Sequence, residues 1–247
     1  MLKKLGAILF LIITSISILQ AQYRRPIILN DPDYDVSKPL RFGFSLGFNI
    51  MDLDVNNSNK TEIAEDGTEF QYFADVTHIN PGINVNAICD LRLTENIHLR
   101  FLPGYAFGQR NLDYYKVESD KTTLETTMTL ESSFIELPLS IKYLSQRSSN
   151  IRPYLIFGGN YRIDLAAYKR LKVEKGVLVR LEKTDLYYEV GFGIDFFLNY
   201  FKFSTEIKWS AGLFNAMSND YAEGAENYRY AIDKMQSRMI VIAFHFE

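Results

Sequence analysis

From Arg41 onward, hydrophobic and polar positions alternate. Phe42, Phe44, Leu46, Phe48 and Ile50 fall on one parity, and Gly43, Ser45, Gly47 and Asn49 on the other. This two-residue period is that of a strand with one greasy face. The pattern recurs over 82–93, 97–110, 129–143, 152–165, 186–198, 201–212 and 237–247, which makes eight predicted strands. In the third, Ile97, Leu99, Phe101, Tyr105 and Phe107 oppose His98, Arg100, Gly104, Ala106 and Gly108. In the sixth, Tyr188, Val190, Phe192, Ile194 and Phe196 oppose Glu189, Gly191, Gly193 and Asp195.

Alternation alone fits both a soluble sandwich with an oily centre and a barrel with an oily outside. Strand length, the connections, the polar face and the final strand decide between them. The strands are longer than the ~5–6 residues usual in soluble sheets and match the ~9–11 tilted residues that cross a bilayer. Connections are short at 94–96, 144–151 and 199–200 and long at 51–81, 109–128, 166–185 and 213–236, the outer-membrane arrangement of short periplasmic turns and long external loops. The polar face carries glycines and charges of both signs, and the last strand ends with Phe246 next to last. The expected fold is therefore all-β: an eight-stranded antiparallel transmembrane β-barrel. Pro103 and Pro138 cut across it, because a closed barrel has no edge where a missing N–H is harmless; a bulge or kink is expected at each.

Charges of both signs fall on the inward parity, among them Arg92, Arg100, Glu136, Lys142, Arg162, Asp164, Glu189, Asp195, Glu206 and Lys208. Side chains fill an eight-stranded barrel, so these residues are expected to neutralise one another in an interior network rather than line a channel. Arg100, Glu136, Glu206 and Lys208 are the foremost candidates.

Composition agrees with this picture. The chain has 247 residues, 27 Lys+Arg against 30 Asp+Glu, and a formal charge of −3. That balance excludes a basic nucleic-acid binder, and no later segment is a continuous apolar run of the ~20 residues a spanning helix needs. Aromatics reach 14% but include a single Trp, a bias that suits strands. The lone Cys89 forbids an internal disulfide and, on the apolar face, serves as a small hydrophobe.

The first residues read as an address. Lys3 and Lys4 precede a short apolar run that ends in Gln20-Ala21-Gln22, a secretory signal cut after Ala21. The division expected is a signal peptide at 1–21, an extended periplasmic segment at 22–40 and the barrel at 41–247. The proline-containing segment 23–39 offers a surface for a partner.

The run Phe134-Ile135-Glu136-Leu137-Pro138-Leu139-Ser140-Ile141-Lys142-Tyr143 resembles the Glu-hydrophobic-Pro strand of the Bacteroidetes outer-membrane β-barrel family. Within that family, Leu99-Arg100-Phe101-Leu102-Pro103-Gly104-Tyr105-Ala106-Phe107-Gly108, Arg152-Pro153-Tyr154 and Glu189-Val190-Gly191-Phe192-Gly193-Ile194-Asp195 are similar to the PorT (SprT) proteins. The resemblance spans nearly the whole mature chain. It implies an integral outer-membrane component of the type IX secretion system, needed to export cargo proteins and, where present, for gliding, with other secretion-system subunits as partners.

Signals for catalysis are poor. There is no H-E-x-x-H, G-x-S-x-G or G-x-x-x-x-G-K-[ST], and His78, His98 and His245 lack metal-ligand spacing. No catalytic residue, metal, cofactor, nucleic acid or small-molecule substrate is expected. Asn56-Asn57-Ser58 and Asn59-Lys60-Thr61 read as a polar loop. The loop 168–183, with Lys169, Arg170, Lys172, Lys175, Arg180 and Lys183, could meet lipopolysaccharide, though an ordinary solvated loop accounts for it too. Two readings of function stand: a non-catalytic secretion barrel, and a generic small outer-membrane barrel with an adhesive or enzymatic role in its loops.

Overall fold

The computed structural model describes residues 28–30, 34, 38–58, 60–63, 69–118, 121–167, 178–222 and 224–247. The signal peptide expected at 1–21, much of the periplasmic segment at 22–40, Asn59 and residues 168–177 of the basic loop lie outside them.

Among the described residues, thirteen strands and a short helix follow in order. They are β1 (Leu40–Asn57), β2 (Thr61–Ile63), β3 (Glu69–Ile79), β4 (Pro81–Arg92), β5 (Ile97–Phe101), β6 (Gly104–Glu118), β7 (Lys121–Leu144), β8 (Ile151–Asp164), β9 (Val179–Leu181), β10 (Thr184–Phe197), β11 (Lys202–Gly212), β12 (Met217–Tyr221), α1 (Glu226–Tyr230) and β13 (Ile232–Phe246). Every pairing is antiparallel. The main sheet closes on itself because β1 pairs with β13 on one side and with β4 on the other. Around the ring, β3 with β4 and β5 with β6 each act as one interrupted stave. Merged in this way, the eleven strands of the main sheet form eight staves around the ring, with β2 added beside β3.

Side-chain direction follows parity. Phe42 (68% exposed), Phe48 (60%) and Phe157 (62%) stand on the outer face, together with Ile83, Leu139, Ile141, Val190, Phe192 and Ile242. Arg100, Lys142 and Asp195 are fully buried inside. The oily belt has a sharp upper edge. On β1 the outward positions change from Ile50 to Asp52 and Asp54, on β6 from Phe107 to Gln109 and Asn111, on β7 from Ile135 to Glu131 and Thr129, and on β13 from Ile240 to Arg238.

Above that edge the structure corrects one expectation. The segments 51–81 and 109–128, expected as loops, are mostly strand: β1 continues to Asn57, β3 occupies 69–79, and β6 and β7 run out to Glu118 and back from Lys121. The 24 residues of β7 span roughly 80 Å at ~3.3 Å each, far more than a bilayer needs. Hairpins that keep pairing outside the membrane show no change of period, only a change from apolar to polar on the outward face.

Short turns close the other end. Thr94 Oγ1 accepts the amides of Asn96 and Ile97 (3.4 and 3.0 Å), and Ser149 adopts the left-handed conformation (φ 58°) in the turn bridged by Ser148 and Ile151.

The prolines behave differently from expectation. Leu102 and Pro103 break the stave between β5 and β6, but the register is the same on both sides, so no residue is inserted. Pro138 lies in an unbroken ladder with β8, opposite Asn160. The bulge or kink expected at each is thus replaced by one shared interruption. Pro103 still accepts the Ala87 N–H (2.9 Å) and Pro138 the Leu102 N–H (3.2 Å), so each ring forfeits only its donor. The Leu102 carbonyl, which Pro138 leaves without a donor, takes the Asn86 side-chain amide at 3.2 Å. Gly104 completes the site, because a Cβ there would stand 2.3 Å from the Val85 carbonyl oxygen. Asn86→Ala should therefore cost about 1–3 kcal/mol, the usual penalty for orphaning a buried acceptor. Urea unfolding of the barrel in vesicles measures it.

Candidate functional site

The lumen holds three stacked layers. At the end carrying the start of β1, Glu247 and the short turns, the periplasmic end by the outer-membrane arrangement, Arg100 is the hub. Its Nε donates to Asp90 (2.9 Å), its Nη2 to Glu247 Oε1 (2.6 Å), and its Nη1 lies 3.7 Å from Glu206. Lys202 is 2.6 Å from the other Glu247 oxygen, and His98 Nδ1 is 2.6 Å from Asp90. Lys142 reaches both Asp195 oxygens at 2.8 Å, and Ser204 donates to the same carboxylate (2.6 Å). The Tyr154 hydroxyl donates to Glu206 (2.8 Å), and His245 Nε2 is 3.4 Å from it. The Tyr154 ring lies under Lys142, 3.8 Å from Nζ to the centroid, in space that Gly193 leaves; a Cβ at 193 would meet the ring at 2.3 Å.

A second layer joins Glu136, Arg162, Glu189 and Lys208. Arg162 Nε donates to Glu136 (2.8 Å) and Nη2 to Glu189 (3.2 Å), while Lys208 is 2.9 Å from the second Glu189 oxygen. Asn84 donates to Glu136 (2.9 Å) and Asn160 to Glu189 (2.8 Å), so amides occupy the remaining lone pairs. Above it Arg110 bonds Ser237 (2.8 Å) and Ser132 (2.5 Å).

Of the ten residues the sequence singles out, eight meet in these two layers. Arg92 and Asp164 stand apart. Arg92 is half-buried at the periplasmic rim with no ion pair among the described residues. Asp164 instead accepts the amides of Ala166 (2.8 Å) and Ser133 (3.3 Å) where β8 ends. Asp90, His98, Lys202, His245 and Glu247 are members the ten omit. Their signal is parity: Asp90, His98 and Lys202 share the inward face of their strands with Arg92, Arg100 and Glu206, and His245 alternates with Phe244 and Phe246.

The third layer is apolar and lies above the membrane edge. Leu53, Leu112, Met128, Leu130, Ile232 and Met235 of the wall pack against Leu178, Val179, Leu181, Met217, Ala222 and Ala225 of the long connections. β9 pairs with β12, and α1 sets Tyr228 against Tyr72 and Tyr114 (ring centroids 5.3 and 5.0 Å). Two small spaces among the described residues of this upper region measure about 20 and 40 Å³, room for about one to three waters.

The described part of the segment before the barrel lies against the periplasmic rim. The Leu29 amide donates to Asn150 Oδ1 (2.9 Å), Asn30 Nδ2 to the Leu198 carbonyl (2.8 Å), and the Tyr34 hydroxyl to the Glu247 carbonyl (3.1 Å), while Arg147 donates to the Asn30 carbonyl (3.3 Å). Among the described residues no three His, Cys, Asp or Glu side chains are placed to hold a metal ion.

The family model for the outer membrane protein beta-barrel domain matches residues 20–218. Among solved structures, the outer membrane protein OprG from Pseudomonas aeruginosa is 13% identical, with 83% of this chain and 94% of that chain covered and a TM-score of 0.41. The attachment invasion locus protein Ail of Yersinia pestis, crystallised with the heparin analogue sucrose octasulfate, is 10% identical, with 83% and 96% covered and a TM-score of 0.36. No curated protein matches the chain.

Proposed function

The chain belongs to the outer membrane protein beta-barrel domain family, and from that premise we propose that this integral outer-membrane protein is a non-catalytic barrel component of the type IX secretion system, needed for export of cargo. The observation that carries the reading is the packed lumen: among the described residues two ion-paired layers and an apolar layer occupy the interior. A barrel so filled acts through its surfaces, as a scaffold or docking part, rather than as a conduit. The assignment to this secretion system rests on the PorT-like strand motifs around Pro103, Pro153 and Glu189. Its partners are then other secretion-system subunits, with lipid and lipopolysaccharide around the wall.

Deleting the gene should trap cargo in the periplasm while the outer membrane stays intact, measured by immunoblotting fractionated cells and by dye exclusion. Normal export in the deletion strain would refute the proposal.

A further inference from the structure

Above the polar edge of the oily belt, a second apolar surface appears on the outer face of the projecting sheet. Phe73, Tyr115 and Leu124 lie in one row across β3, β6 and β7, and Gln71, Val117 and Thr122 in the next row. Phe73 is 44% and Leu124 56% exposed. Phe73, Asp75, Tyr115, Val117 and Thr122 line an open groove of about 410 Å³.

This groove is not part of the lipid contact. Tyr115 is eight residues beyond Phe107, roughly 20 Å above the belt for a strand rising ~3.3 Å per residue at ~40° of tilt. The outward residues between them, Gln109, Asn111 and Asp113, are polar. Asp113 is already committed to Thr77 and Thr127.

We propose that the Phe73–Tyr115 groove binds a neutral saccharide chain of the cell surface. Two aromatic side chains offer faces to the C–H side of a sugar ring, whose attraction to an electron-rich ring is the same quadrupole effect that favours edge-to-face aromatic pairs. Polar groups around them would take the sugar hydroxyls. One Asp75 oxygen accepts the Val76 amide at 2.8 Å, leaving the other as acceptor. The Tyr115 and Thr122 hydroxyls carry no hydrogen bond among the described residues and can donate or accept. Charge selects within the class: among the described residues no cationic side chain lines the groove and one carboxylate does, so it disfavours phosphorylated or acidic saccharides. The groove is also open along the sheet, which suits a passing chain rather than a buried end group. This inference stands apart from the secretion reading and survives its failure.

The test uses the full-length protein in detergent. The probes are surface polysaccharide freed of lipid by mild acid and separated by ion exchange into neutral and acidic fractions. Affinity electrophoresis should show retardation by the neutral fraction, weakened at least tenfold in Phe73→Ala and Tyr115→Ala and little changed in Thr129→Ala, with heat-modifiable gel mobility intact in all. Tyr115→Phe should keep most of the binding, and Asp75→Asn should lose part of it. No retardation of the wild type by the neutral fraction, preference for the acidic fraction, or equal binding by the alanine variants overturns the proposal. So does loss of a co-purifying protein, rather than of saccharide, in those variants.

Discussion

Arg100→Leu should destabilise the folded barrel by about 3–5 kcal/mol, the cost of stripping one partner from a buried ion cluster. Arg100 is fully buried and is shared by three carboxylates from three strands: Asp90 of β4 at 2.9 Å, Glu206 of β11 at 3.7 Å and Glu247, just past β13, at 2.6 Å. Leucine fills part of the space but leaves those carboxylates with fewer cations. His98 and Lys202 still touch Asp90 and Glu247, and Glu206 keeps Tyr154 and His245 beside it. Arg100→Lys should recover part of the loss, since one ammonium keeps the charge but cannot reach apart to several acceptors as the guanidinium fork does. Urea titration in lipid vesicles, followed by heat-modifiable mobility, gives both values. Wild-type stability for the leucine variant would show that the cluster does not hold the barrel together.

Much of this could be read before any coordinates. Parity placed Arg100, Glu136, Lys142, Arg162, Glu189, Asp195, Glu206 and Lys208 on the inward face, and all eight meet there, because a strand has only two faces and a closed wall makes one of them a lumen. What parity does not encode is height. Arg92 shares the inward parity yet sits at the rim, half in solvent, and Asp164 sits where β8 gives out, near Arg110 and above the two ion-paired layers. Stave length was similarly opaque. Residues 109–128 are polar outside and Thr-rich, which resembles a loop, and only the continued ladder between β6 and β7 shows a hairpin standing clear of the membrane. The outcome at the prolines depends on neighbouring strands together rather than on each strand singly: the cost falls on one neighbourhood, and Asn86 on the adjoining stave meets the unpaired carbonyl. The Phe73–Tyr115–Leu124 row was invisible for the same reason: its members are far apart in sequence and adjacent only across three strands.

The orientation of the wall is open to a direct test on β7. Leu139→Arg should destabilise the barrel by about 2–4 kcal/mol, the penalty for a cation on the lipid face near the bilayer midplane. Thr129→Arg, on the same face of the same strand, should change stability by less than about 0.5 kcal/mol. Both positions point outward and are exposed, with Leu139 at 51%. The contrast therefore isolates the surroundings of the side chain from its backbone. Leu139 stands among Leu137 and Ile141 in the middle of the oily belt, whereas Thr129 lies beyond Ile135 and Glu131, where the outward face has turned polar. A soluble sheet with water on that face would accept arginine equally at both sites. Equal, small effects in vesicle unfolding experiments would remove the bilayer from around Leu139, and with it the physical reason for burying so many charges inside. A large effect at Leu139 and none at Thr129 fixes the upper edge of the membrane between them, and leaves the Phe73 and Tyr115 groove standing clear of the lipid above.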